Sequence, residues 1–303
     1  MHTAATIESV TQYQQRAANP CRVRAFLELE FARYPETGRT FLAHSSAEPP
    51  LKVVRAFPTE SDGVLVHLHN VSGGLLGGDQ LRQNIRLAPG SRVQLTTTGA
   101  TRIYRHREHF AATRQHTEFS IGEGALLEYL PDATIPFARS QFQQYTSIDL
   151  AHGAGLFWWE ILAPGREARG ELFAYDQLEI RTRISASGRL IAAENVSLRP
   201  ATQDIPSLAR LGSYRYLATF YICRVGVEAR SWRALEESLR QLRNGLSEPD
   251  ETLWGVSSLS AHGVVIRCLA RSGRDISSTL QSLWTHAKCR LYNEAAIPPR
   301  KVH

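Results

Sequence analysis

Lysine, methionine and cysteine are scarce in this chain of 303 residues, and long uncharged apolar runs are absent. The four cysteines are Cys21, Cys223, Cys268 and Cys289. They lie far apart and form no Cys-x-x-Cys pair, which argues against a thiolate metal cage and for a reducing compartment. Without about 18 consecutive apolar residues, we expect no membrane span, and residues 1–20 lack the apolar stretch of a signal peptide. The sequence therefore predicts a cytoplasmic protein.

The positive charge of the chain comes almost entirely from dispersed arginines. The formal net charge is +6, and only three of the 35 Lys and Arg residues are lysines. We find no basic block, no zinc-finger spacing and no alternation of aromatic and basic residues, so nucleic-acid binding is not predicted. An acidic protein partner explains the charge equally well, because arginine forms bidentate pairs with carboxylates at interfaces.

Motifs for nucleotide binding and for nucleophilic catalysis are also missing. The chain has no Gly-x-x-x-x-Gly-Lys-Ser/Thr loop and no Gly-x-Gly-x-x-Gly spacing. Ser72 is not in a Gly-x-Ser-x-Gly frame, and a hydrolase that used it would need a base that the sequence does not show. The sequence predicts a scaffold or carrier, not an enzyme, with no stably held cofactor.

A glycine-rich loop at residues 70–79 is the most unusual stretch that is present. Gly73, Gly74, Gly77 and Gly78 leave almost no side chain there, and Asp79 closes the loop. Glycine allows close backbone approach but is entropically unfavourable on folding. The loop is either a pair of turns with a bulge, or a backbone surface that an ion, phosphate or partner approaches closely.

Residues 85–95, 119–129 and 148–158 share one pattern, and the copies begin about 30 residues apart. Each has two alternating apolar residues, a glycine turn and two more apolar residues. Self-similarity at this period predicts stacked β units, in a β-solenoid or a layered sandwich. Hairpins of a large sandwich are the alternative. Residues 96–101 and 130–137 follow copies of the pattern at the same point, so we expect these loops to gather on one side.

The rest of the chain predicts more strands and two late helices. The further strands are residues 23–31, 51–57, 64–68, 178–184, 190–198, 214–227, 253–259 and 263–269. One helix is predicted from an N-cap at Ser231 to Asn244-Gly245, and a second from an N-cap at Asp275. We predict a mainly β fold of stacked sheets with two α-helices in the C-terminal third. It forms a single domain over residues 1–303, with a strand-rich core at about 22–270 and a C-terminal helix and tail at 275–303.

Glu160 is the most informative single residue, because it lies inside the apolar strand Leu-Phe-Trp-Trp-Glu-Ile-Leu. A carboxylate there must pair, bind a cation or stay protonated. It is either a structural ion pair with an arginine or a carboxylate that lines an internal path. Glu128, Asp132 and Asp79 are each typical of turn or surface acids, but they form an acidic set with Glu160 if the loops gather as expected.

His67 and His69 lie two apart on one predicted strand, so their side chains face the same side. Two imidazoles at that spacing can share a metal, although such a pair alone is usually not a site.

Several ordered motifs resemble those of the UreD (also called UreH) family of urease accessory proteins. They are residues 69–79, 95–101 with Tyr104-Arg105, 128–131 with 135–137, and 158–162 with Gly165-Arg166. The resemblance is dense from about residue 64 to 170 and thin elsewhere. The motif positions that carry it are Ser72, Gly73, Gly74, Gly77, Gly78, Thr97, Gly99, Tyr104 and Arg105. Val71, Arg102 and Asp132 depart from the family pattern without a functional break.

The resemblance implies an accessory role in urease maturation. It implies partners, namely UreF, the GTPase UreG and the urease apoprotein, with dimerisation within the accessory complex and no nucleic-acid or membrane partner. It also implies stacked sheets and nickel passing through an internal tunnel. Our hypothesis is that Glu160, Glu128, Asp132 and Asp79 are transient oxygen ligands for nickel, with His67 and His69 as weaker candidates. The alternative is a nickel-independent scaffold that holds the apoprotein open, with Glu160 as a structural ion pair.

Overall fold

Two stacked sheets, of seven and eleven strands, form the framework of a computed structural model, which describes residues 21–246 and 250–299. The described strands are β1 Arg24–Arg33, β2 Thr40–Ala47, β3 Leu51–Lys52, β4 Ala56–Pro58, β5 Val64–Asn70, β6 Gln80–Leu87, β7 Arg92–Thr97, β8 Thr101–Ile103, β9 Thr113–Ile121, β10 Leu126–Tyr129, β11 Thr134–Pro136, β12 Gln141–Leu150, β13 Gly155–Leu162, β14 Gln177–Ala186, β15 Arg189–Leu198, β16 Tyr216–Arg224, β17 Thr252–Ser258 and β18 Gly263–Ala270. The α-helices of the described residues are α1 Ala229–Leu246 and α2 Gly273–Tyr292.

The 30-residue pattern is a coil that gives one strand to each sheet. Its three copies form β6 and β7, β9 and β10, and β12 and β13. Strands β6, β9, β12 and β14 lie side by side and parallel in the seven-stranded sheet, whose order is β15-β14-β12-β9-β6-β1-β2. Strands β7, β10 and β13 lie parallel in the eleven-stranded sheet, which continues through β16 and β18 to β17. The stacked-sheet prediction is confirmed, and the hairpin alternative is wrong for these copies.

A glycine turns the chain between the two strands of each coil. Gly90, Gly124 and Gly153 have φ angles of 71°, 63° and 70°. This left-handed conformation strains residues with a Cβ. The turn itself therefore explains why a glycine stands at the centre of each copy. The period of the pattern is thus the length of one coil.

The sequence analysis placed several element boundaries incorrectly. The predicted strand 51–57 is two short strands, β3 and β4, and the predicted strand 214–227 is shorter at both ends as β16. Helix α1 begins two residues before Ser231. Helix α2 is capped by Ser272, whose side chain accepts a hydrogen bond from the Arg274 N–H, and not by Asp275. Strands β2, β8 and β11 were not predicted.

The eleven-stranded sheet separates two hydrophobic cores. Alternate residues of β13 point to opposite faces. Leu156 and Trp158 pack into the core between the sheets, whereas Phe157 and Trp159 pack with α1 and α2 on the other face. Neither described helix is long and apolar enough to cross a membrane. The domain count and the bounds of 22–270 and 275–303 stay predictions.

Candidate functional site

The glycines of the loop allow it to pack against the chain segment 102–110. The Leu75 N–H donates to the Arg102 carbonyl at 2.7 Å, and the Tyr104 N–H donates to the Leu75 carbonyl at 2.8 Å. A Cβ added at Gly74 would lie 2.5 Å from the Arg102 carbonyl oxygen, and one at Gly78 would lie 2.7 Å from the Phe110 Cβ. The groups that approach these glycines closely therefore belong to the protein itself.

Polar side chains fix the two ends of the glycine loop. Ser72 Oγ lies 2.6 Å from both the Asn70 Oδ1 and the Gly74 carbonyl oxygen. Within the described residues, Ser72 has no imidazole or carboxylate among its hydrogen-bond partners, so a base for a hydrolase is not found there. Asp79 is 1% exposed and accepts a hydrogen bond from the Leu76 N–H at 2.9 Å. Burial raises the pKa of this carboxyl.

A cavity of about 230 Å³ lies behind this loop, at one end of the space between the sheets. It brings together several residues that the sequence analysis selected: His69, Gly73, Gly74, Thr97 and Gly99. Three further polar residues line it from the strands, namely Gln83, Gln115 and Tyr129. Tyr104 and Arg105 are outside the lining; the Tyr104 hydroxyl lies 3.5 Å from the Gly73 carbonyl, and Arg105 is exposed.

Glu160 points into the space between the sheets. It lies on β13 two residues beyond Trp158, so its side chain shares the inner face. Its carboxylate accepts a hydrogen bond from the Gln144 amide of β12, in the opposite sheet. Gln144 is in register with Gln115, which lines the cavity. Two amide side chains on neighbouring strands, Gln115 and Gln144, thus lie between the cavity behind the glycine loop and Glu160.

The described residues provide no cationic partner for Glu160. None of the ion pairs among residues 21–246 and 250–299 includes it. Burial raises the pKa of Glu160 to about 7; the Gln144 hydrogen bond opposes this shift, and the nearby Glu194 carboxylate adds to it. The ion pair with an arginine, which the scaffold alternative requires, is therefore absent from the described chain.

A row of polar side chains crosses the inner face of the seven-stranded sheet beside Glu160. The row consists of Gln83, Thr117, Thr146, Thr182 and Glu194, each in register with the next. The first four are at most 5% exposed. The Gln83 side-chain oxygen is buried with no hydrogen-bond partner among the described residues. The sequence analysis missed this row, although its members occupy the inward positions of alternating strands.

Glu128 faces away from this interior, toward helix α2. Its neighbours Leu127 and Tyr129 pack between the sheets, so the side chain of Glu128 lies on the opposite face. Its carboxylate is 2.9 Å from the Lys288 Nζ and accepts a hydrogen bond from the Trp284 Nε1–H at 2.8 Å. Both charged residues are buried. Glu128 forms a structural ion pair, and the expectation that it shares an acidic set with Glu160 is wrong.

Asp132 is partly exposed beside the gathered loops. The two loops do meet, since the Thr101 N–H donates to the Ala133 carbonyl at 2.9 Å and the Asp132 N–H donates to Thr97 Oγ1 at 2.9 Å. Asp132 borders a groove between these loops and α2. Within the described residues, no three His, Cys, Asp or Glu side chains lie close enough to hold one metal ion. The four predicted acids therefore do not form one cluster.

His67 and His69 share β5, as predicted, but they differ in their surroundings. His67 is 7% exposed and contacts the Phe57 ring edge-on. His69 is partly exposed and lines the cavity. Burial, followed by the neighbouring His67 and Lys52, lowers the pKa of His69. Because Val66 and Leu68 of the same strand pack between the sheets, the side chains of both histidines belong to the other face of β5, and His69 borders the cavity but not the interior that holds Glu160.

Comparison with known proteins agrees with the resemblance of the motifs. A family model described as UreD urease accessory protein matches residues 23–303. The urease accessory protein UreD of Herpetosiphon aurantiacus is 46% identical over 289 residues, which cover 95% of this chain and 100% of that protein. The protein of the same name from Lysinibacillus sphaericus is 32% identical over 267 residues, covering 88% of this chain and 97% of that protein. This chain belongs to the UreD family of urease accessory proteins.

Proposed function

We propose that this chain acts with UreF and UreG to insert nickel into the urease apoprotein, and that nickel passes between its two sheets by way of Glu160. The observation that carries the proposal is a partly buried carboxylate with no cationic partner in the described chain, with Gln144 and its register partner Gln115 between it and a cavity. A buried carboxylate in this state has an unmet need for a counter-charge, which a divalent cation supplies.

The chemistry of the interior suits a metal that is carried and released. The groups beside Glu160 are amides and hydroxyls, and no described thiol or imidazole shares this inner row. Oxygen donors hold late first-row divalent metals more weakly than imidazole or thiolate cages do. With a pKa of about 7, Glu160 exchanges a proton for a cation near neutral pH. Both properties favour loose, exchangeable binding.

We propose fewer residues as nickel ligands than the sequence alone suggested. Glu160 stays as the main ligand, and His69 stays as a candidate at the cavity. Glu128 is neutralised by Lys288 on the other face of the sheet, and we no longer propose it as a nickel ligand. Asp79 and Asp132 lie at the glycine loop and at the outer groove, and their roles stay predictions.

The test is activation of urease apoprotein by the complete accessory complex with limiting nickel, using Glu160→Gln. The glutamine keeps the size of the side chain and can still accept the Gln144 hydrogen bond. We expect at least about a tenfold loss of activation rate with binding of UreF, UreG and apoprotein retained. Glu118→Gln, which removes a carboxylate from the outer face of the same sandwich, is the matched control and should activate normally.

Two outcomes would decide against nickel passage. Full activation by Glu160→Gln at limiting nickel would show that the carboxylate is not needed for the metal. Loss of partner binding, with nickel binding by the free chain unchanged, would favour the alternative of a nickel-independent scaffold.

A further inference from the structure

The far side of the interior is closed by side chains and not by strand pairing. The seven-stranded sheet ends at β15, whereas the eleven-stranded sheet continues to β18 and β17. Across this edge, Arg267 Nε of β18 lies 3.2 Å from Glu194 Oε1 of β15. The Tyr221 hydroxyl donates a hydrogen bond to the other oxygen of the same carboxylate. The Arg267–Glu194 ion pair therefore links the two sheets at an edge where β15 and β18 are not paired by backbone hydrogen bonds.

This ion pair lies in line with Glu160. Thr219 is the register partner of Glu160 on one side and of Arg267 on the other. Since neighbouring strands are about 4.8 Å apart, the Cα atoms of Glu160 and Arg267 are separated by about 10 Å. The carboxylate of Glu194 acts on Glu160 electrostatically. The row of polar side chains thus begins at Gln83, which lines the cavity, and ends at Glu194 at the opposite edge of the interior.

Exposure distinguishes the two members of the pair. The Glu194 side chain is 19% exposed, whereas the Arg267 side chain is 51% exposed. The arginine is half-exposed at the border between the polar interior and solvent, and its ion-pair partner among the described residues is Glu194. Ion pairs that are partly exposed to solvent contribute little to stability, so we expect the guanidinium to move away without unfolding the sandwich.

We propose that Arg267 is a displaceable plug that neutralises Glu194 at this edge, and that a divalent cation leaving Glu160 displaces it to reach Glu194 and then solvent or a partner. The proposal rests on the proposed function, because it needs a cation in the interior. Glu194 is the only carboxylate in the row of polar side chains beside Glu160. Arg267 therefore competes with the metal for the last charged ligand of the route.

The test compares Arg267→Gln, Arg267→Lys and Arg183→Gln in the full-length chain. Arg183 is an exposed arginine on the outer face of β14 and is the matched control. Nickel affinity is measured by competition with a chromogenic chelator, and activation at limiting nickel is measured in the complete complex. We expect Arg267→Gln to bind nickel about tenfold more tightly, because Glu194 has lost its counter-charge, and to release it more slowly to apoprotein. Arg267→Lys and Arg183→Gln should resemble the unmodified chain.

Glu194→Gln is the second variant and keeps the proposal testable if Arg267→Gln does not fold. It leaves the positive charge without its partner, so nickel affinity should fall about tenfold. Unchanged affinity in either variant, while Glu160→Gln still weakens binding, overturns the plug but leaves nickel passage intact. If Glu160→Gln itself leaves nickel binding and activation unchanged, the proposed function fails and the plug fails with it.

Discussion

Replacing Glu160 with glutamine should stabilise the protein, and the gain should grow with pH. In the folded chain, burial raises the pKa of this carboxyl from its ordinary 4.5 to about 7. Between these values the folded chain holds a proton that the unfolded chain has lost. Stability from the protonated carboxyl is therefore fully present below pH 4.5 and is lost as pH rises through about 7.

The magnitude follows from the same two values. A pKa change of one corresponds to 1.36 kcal/mol, so the full effect is about 3 kcal/mol, an upper limit because Glu160 is only partly buried. Glutamine has no such pH dependence. Between pH 5 and pH 8, the difference in unfolding free energy between the variant and the unmodified protein should grow by about 2 kcal/mol in favour of the variant.

Urea unfolding followed by tryptophan fluorescence at pH 5 and pH 8, without divalent cations, measures this difference. Glu128→Gln is the control, since it removes a carboxylate from the same sheet but leaves Lys288 buried without its counter-charge; it should be destabilising at both pH values. A Glu160→Gln effect that is the same at pH 5 and pH 8 would refute the assignment of Glu160 as a carboxyl with a raised pKa and no cationic partner.

Two further predictions concern the loop and the helix layer. Gly74→Ala should lower the free energy of unfolding by about 2–4 kcal/mol, because its Cβ would lie 2.5 Å from the Arg102 carbonyl oxygen. Gly99→Ala, whose Cβ meets nothing within 4 Å, should be nearly neutral in the same unfolding experiment, and equal effects would contradict the packing role of the loop. Lys288→Met should destabilise by about 3–5 kcal/mol in thermal or chemical unfolding, and adding Glu128→Gln should recover much of that loss; a double variant as unstable as the single one would mean that the pair is not the cause.

The coil architecture could be predicted from sequence because it depends on short sequence patterns. Alternating apolar residues and a glycine turn recur in each copy, and each signal spans only about ten residues. The element boundaries that were predicted incorrectly are not determined by such short patterns alone. Ser272, for example, caps α2 three residues before the predicted Asp275, and both residue types are good N-caps.

The site was only partly predictable, because the face that a polar strand residue occupies is set by distant partners. Glu160 was conspicuous since its neighbours are all apolar. Glu128 looked similar, but its partner Lys288 lies 160 positions away on a helix. Gln83 and Glu194 are polar residues that resemble ordinary outward-facing positions until a second sheet covers them. Alternation tells which residues share a face, and not which face is covered.

The parallel pairing of β6, β9, β12 and β14 has a consequence for how this protein folds during synthesis. Register partners such as Thr113 and Phe142 are a whole coil apart in the chain, so no strand of this group can pair with the next until the ribosome has made the intervening coil. Contacts of this kind slow folding and leave strand edges open. In the finished sheet, the antiparallel partners β2 and β15 cover the parallel strands at both ends. Until β15 is made, the outer edge of β14 is unpaired, and a strand of another nascent chain can pair with it in place of β15.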